Sequence, residues 1–106
     1  MRTLLLLTLL AATPGEVLLA ADTAPDGHVT IKNFTFSPAT VTIKAGSSVT
    51  WTNRDNEPHT IVGDIARFRS GAVDTDESYS FKFDQPGTYH FACSLHPMMT
   101  GVVVVE

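Results

Sequence analysis

Within seven positions near the C-terminus, "CSLHPMM" places Cys93, His96, Met98 and Met99, including the chain's single cysteine. Cys93, His96 and Met99 recur at every third residue, and side chains three apart face one way in a tight turn of about three residues. Pro97 biases His96 away from the helical region and stops a helix from continuing. One short loop thus aims sulfur, nitrogen and sulfur at a common point. Three donors from one loop leave an ion open on one side, so a fourth must come from elsewhere. His59 in "NRDNEPHTI" is the candidate, with Pro58 fixing the backbone that presents it. Two imidazoles, a thiolate and a weak axial thioether suit copper in an electron-transfer site. Zinc is more often given a further cysteine, histidine or carboxylate in place of methionine. Met98 is the alternative to Met99 by proximity, but it breaks the three-residue spacing.

Strand signals surround these donors. "HVTIKNFTF", "TVTIKAG" and "SSVTWTN" alternate apolar and polar residues, the period of a half-buried strand. "SYSFKFD" sets Tyr79, Phe81 and Phe83 on one side; after the turn "QPGT", "YHFAC" sets Tyr89, Phe91 and Cys93 on one side. If those aromatics enter the core, the thiol at the strand's end does too. "GVVVVE" closes the chain as a β-branched run. Short strands with Gly, Pro and Asp turns, and a possible helical turn only near Ile65 to Arg69, predict an all-β, antiparallel β-sandwich. Trp51, Phe81, Phe83 and Phe91 are expected in its core.

At 106 residues the chain has room for one core. It opens with Arg2, an apolar run from Leu4 to Ala12 and then Thr13-Pro14-Gly15, the pattern of a secretory leader. That run is too short to span a bilayer, which takes roughly 20 residues. Residues 1–21 are therefore read as a leader cut after Ala20 or Ala21, 22–27 as a loose arm and 28–106 as the domain, in a periplasmic or otherwise exported protein with no membrane anchor. Losing the leader removes Arg2 and Glu16 together, so the net charge stays at −4. No basic stripe exists to hold a phosphate backbone, which argues against nucleic acid. Cys93 has no partner for a disulfide within the chain, so the fold must stand on its core. His28 and His90 are read as solvated, and Asp74, Asp76 and Glu77 as a solvated turn.

From His28 to Glu106, "VTIKAGSSVTWTNRDNEPHT" and "PGTYHFACSLHPMMTGVVVVE" resemble the cupredoxins, the type 1 blue copper proteins, and most closely the amicyanins, whose ligand loop has the short Cys-x2-His-x2-Met spacing. The resemblance implies a Greek-key sandwich holding one Cu(I)/Cu(II) ion on His59, Cys93, His96 and Met99, and it favours Met99 over Met98. It implies that Asn53 ties the His59 loop to the neighbourhood of the cysteine, that the Thr60 amide donates to the thiolate, and that the Pro58 carbonyl lies on the far axial side. Leu95 and Met98 stand where a proline and an aromatic are common. The function implied is a monomeric electron shuttle, not an enzyme, docking redox partners such as a dehydrogenase donor and a c-type cytochrome acceptor through an apolar collar of Leu95, Pro97 and Met98 around His96. Copper storage or delivery is the alternative reading of the same donors.

Overall fold

Alternation along the chain becomes two stacked sheets. A computed structural model describes residues 26–106; the expected leader and residues 22–25 of the arm lie outside the described residues. The strands are β1 (Gly27–Lys32), β2 (Thr35–Ser37), β3 (Thr40–Ile43), β4 (Ser47–Asn53), β5 (Val62–Gly63), β6 (Ser78–Phe83), β7 (Gly87–Ala92) and β8 (Thr100–Val105). One sheet runs β2-β1-β4-β6 and the other β3-β8-β7-β5. In β1 the buried positions are Gly27, Val29 and Ile31; in β4 they are Ser47, Val49, Trp51 and Asn53; in β8 they are Gly101, Val103 and Val105. Each set is one face of a strand, turned toward the opposing sheet.

The sandwich is as expected, but its sheets are not purely antiparallel. β1 pairs with β4 in parallel, and β3 pairs with β8 in parallel. The chain leaves β1 through β2, crosses to the other sheet as β3 and returns as β4, so β4 arrives beside β1 running the same way. Parallel neighbours need such a crossover, and alternation within a strand carries no information about its neighbour's direction. The domain also begins one residue early. Gly27, expected in the loose arm, is buried in β1 opposite Val49. A Cβ there would sit 2.8 Å from Val41 Cγ2, so the missing side chain serves close packing between the sheets. Asp26 ahead of it accepts a hydrogen bond from the Ser48 amide.

Trp51 and Phe91 meet edge to face at 5.3 Å, and Phe83 is buried with them while Phe81 is partly so. The segment from Ile65 to Arg69 makes a turn, closed by the Phe68 amide on the Ile65 carbonyl. It delivers Phe68, fully buried, against Trp51 and Phe81. β7 and β8 are brought close at Gly101, where a Cβ would lie 2.3 Å from the Phe91 ring. That contact fixes the end of β7, and the next residue but one after Phe91 is Cys93.

Candidate metal centre

Cys93 follows β7 at the rim of the sandwich and is fully buried. The loop after it is closed by its own backbone: His96 N donates to the Cys93 carbonyl, Met99 N to the His96 carbonyl, and Cys93 N to the Met99 carbonyl. These bonds give the three-residue steps that turn Cys93 and His96 toward one point. His59 comes from the segment after β4, where its amide and carbonyl pair with Val73 at 3.1 and 2.7 Å. His59 Nδ1 lies 3.8 Å from Cys93 Sγ, and His96 Nδ1 lies 3.7 Å from it. The donor atoms of all three residues fall within 4.8 Å of one another. Metal–imidazole and metal–thiolate bonds of about 2.0–2.3 Å would set donors in a trigonal plane roughly 3.5–4 Å apart, so the spacing fits an ion at the centre. Met99 is buried at 5% exposure, whereas Met98 is 93% exposed, and only the former is turned into the protein.

Groups around the donors hold them in place. The Thr60 amide donates to Cys93 Sγ at 3.3 Å, and the Thr60 hydroxyl lies 3.7 Å from the same sulfur. That hydroxyl also accepts from the Ser94 amide at 2.8 Å and bonds the Ser94 hydroxyl. Burial by itself would push the Cys93 thiol up, but the Thr60 amide, His59, His96 and the Thr60 hydroxyl together outweigh it and bring it down to about 6 in the metal-free protein. A thiol so placed is a thiolate at neutral pH, the form that binds metals.

Asn53 is fully buried but does not reach the cysteine's neighbourhood by hydrogen bonding, contrary to the expectation. Its Nδ2 donates to the Glu57 and Val73 carbonyls and its Oδ1 accepts from the Asp55 amide. It braces the His59 loop internally, and the tie to the cysteine loop is made by Thr60 and Ser94 instead. Asp55 is a functional residue that sequence reasoning missed. Its Oδ2 lies 2.9 Å from His59 Nε2. A carboxylate only accepts, so Nε2 is a donor here, and Nδ1 is the ring nitrogen that faces the sulfur. Burial works against the charged Asp55 carboxylate, yet the Phe34 and Asn33 amides and His59 hold it below its ordinary value. The sequence signal was a carboxylate four residues before the histidine, which spacing alone does not distinguish from a solvated one.

The other candidates fall as expected. His28 is exposed, and His90 is exposed beside Asp64, whose carboxylate accepts its amide. Asp76 pairs with Arg54 at the surface, and Glu77 accepts from the Asp74 amide within the turn.

A family model described as a cupredoxin-like domain matches residues 1–105. The chain is 41% identical over 108 residues to amicyanin-alpha of Methylorubrum extorquens, covering 91% of this chain and 87% of that one. It is 40% identical over 110 residues to the chloroplastic plastocyanin of Tetradesmus obliquus, covering 92% and 70% of the two chains. Among solved structures it resembles Paracoccus versutus amicyanin, with a TM-score of 0.71 and 34% identity over 82% of this chain and 88% of that one. A copper(I) form of an amicyanin variant superposes with a TM-score of 0.72 and 30% identity, covering 82% and 89%. With the sandwich, the buried sulfur and its two imidazoles already in place, these relatives put the chain in the cupredoxin family.

Proposed function

We propose that this protein is a blue copper electron carrier, in which His59, Cys93, His96 and Met99 would hold one copper ion. The observation that carries the reading is the convergence of Cys93 Sγ with His59 Nδ1 and His96 Nδ1 at 3.8 and 3.7 Å from chain segments 34 residues apart. Bound copper would supply one-electron chemistry between Cu(II) and Cu(I) in such a donor set. The protein's part is to keep the donors still. His59 is pinned by its Val73 bridge and by Asp55, and Cys93 by Thr60, so little would move when the charge on the ion changes. Four protein ligands leave no open position for a substrate, which favours a carrier over an enzyme. The burial of Cys93, His59 and Met99 favours retention over handover.

His96 is the ligand nearest solvent. Around it runs an apolar groove of about 400 Å³ lined by Phe34, Leu95, Pro97, Met98 and Met99. Of the four exposed large hydrophobic side chains among the described residues, Phe34, Leu95 and Met98 lie here. Such a patch suits small, short-lived contacts with redox partners, a dehydrogenase as donor and a c-type cytochrome as acceptor being the pair that the amicyanin likeness suggests. The protein works outside the cytoplasm, in the periplasm, after removal of residues 1–21; among the described residues no helix is long and apolar enough to cross a membrane. The test is reversible bleaching: ascorbate should abolish the visible band of the oxidised copper protein and ferricyanide should restore it. Copper lost to a mild chelator before any stable coloured form appears would point to delivery instead.

A further inference from the structure

The turn joining β1 to β2 consists of Asn33 and Phe34, both with left-handed φ of 53° and 56°. Two-residue hairpin turns of this kind favour Asn-Gly, and a bulky residue at the second position is strained. Strain of this sort persists only where the surroundings enforce it. Here a buried carboxylate does so: the Asn33 and Phe34 amides donate to Asp55 Oδ1 and Oδ2 at 2.6 and 2.9 Å. The consequence is the position of the Phe34 ring. Its centroid is 5.3 Å from that of His59 and 4.8 Å from that of His96, edge to face with each. The two imidazoles are themselves 5.0 Å apart, so one ring covers the gap between them. Among the described residues, Phe34 is the only one lining the apolar groove that comes from outside the 95–99 loop. It is 47% exposed, while His59 beneath it is 0% exposed.

We propose that Phe34 is a positioning residue that closes the outer flank of the metal site, its ring capping both imidazoles against water and small ligands, and that the Asp55 carboxylate clamps the strained turn that holds it there. The metal-site reading gives this closure its purpose, but the closure itself is tested without metal. Glycine is the residue the turn prefers, so Phe34→Gly separates the ring's covering role from the turn's stability. In metal-free protein, Phe34→Gly should raise the rate of Cys93 alkylation by iodoacetamide about tenfold, as expected when local access rather than global unfolding limits reaction. Its urea midpoint should stay at or above that of the parent. Phe34→Leu, which keeps an apolar side chain and serves if the glycine variant fails to fold, should give an intermediate rate. With copper(II) bound, added azide should change the electron paramagnetic resonance spectrum of Phe34→Gly and leave the parent's unchanged. Alkylation at the parent's rate in both variants, or a rise matched by a fall in the urea midpoint, would overturn the proposal. Loss of copper binding in the parent itself would strike the metal reading and leave the alkylation result standing.

Discussion

Removing the proton from Cys93 should stabilise the metal-free fold, and the size of the effect follows from its surroundings. The thiol falls from an ordinary value of 9.0 to about 6 because the Thr60 amide, two imidazoles and the Thr60 hydroxyl outweigh the burial that opposes them. A group whose proton is held less tightly in the folded than in the unfolded chain adds stability that is fully present above the unfolded value. That stability is lost as pH falls through the folded one. At roughly 1.4 kcal/mol per tenfold change in the proton equilibrium, the ceiling is ~4 kcal/mol above about pH 9, with ~2 kcal/mol present near pH 7.5 and less than ~0.5 near pH 6. The thiol is isolated by difference, because His59 and His96 face the sulfur and Asp55 faces His59. The assay is urea unfolding of the metal-free protein and of Cys93→Ser at several pH values, beside an ultraviolet titration of the thiolate. The gap between the two proteins should widen by ~3 kcal/mol from about pH 6 to pH 9, with the thiolate appearing near pH 6. A gap that does not change with pH, or a thiolate that appears only near the ordinary value, would refute the reasoning.

Three further outcomes are expected. Thr60→Val removes the hydroxyl that bonds Ser94 and approaches Cys93 Sγ; with less charge drawn from the sulfur, the oxidised ion is favoured and voltammetry should show a lower reduction potential. Asn53→Ala deletes three hydrogen bonds of the His59 loop, two of them buried, and should cost ~3 kcal/mol in denaturant unfolding. Met99→Ala should keep copper bound but shift the potential, since axial bonds of this kind tune rather than hold the ion; Met98→Ala, at an exposed position, should leave the potential alone and slow electron exchange between copies of the protein. A shift in Met98→Ala alone would reverse the assignment.

What the sequence made readable was mostly local. Cys93, His96 and Met99 lie within one turn, and their spacing alone implies convergence. The aromatic face of Tyr89 and Phe91 tells which way the cysteine points, and the alternation of "SSVTWTN" marks β4 to the residue. Asp55 and Phe34 were illegible because their roles arise from contacts 21 and 22 residues apart across the β1–β2 turn. Nothing in "KNFTF" announces that Phe34 takes a left-handed turn and lies over two histidines. Phe68 was likewise hidden inside a charged segment, since burial there depends on Gly63 leaving room beneath the ring. The parallel pairing of β1 with β4 follows from the crossing between sheets, which alternation does not encode. Asn53 shows how far a resemblance carries: the expected tie to the neighbourhood of the cysteine is absent, and its hydrogen bonds run to Glu57, Val73 and Asp55 instead.

The most direct measurement is a titration of the purified metal-free protein with copper(II), followed by visible absorption and electron paramagnetic resonance. Saturation at one equivalent, an intense thiolate-to-copper band and a narrowed copper hyperfine splitting are expected, all lost in Cys93→Ser and in His59→Ala. A copper spectrum that carries no thiolate band, or one that survives in Cys93→Ser, would contradict the copper-site reading.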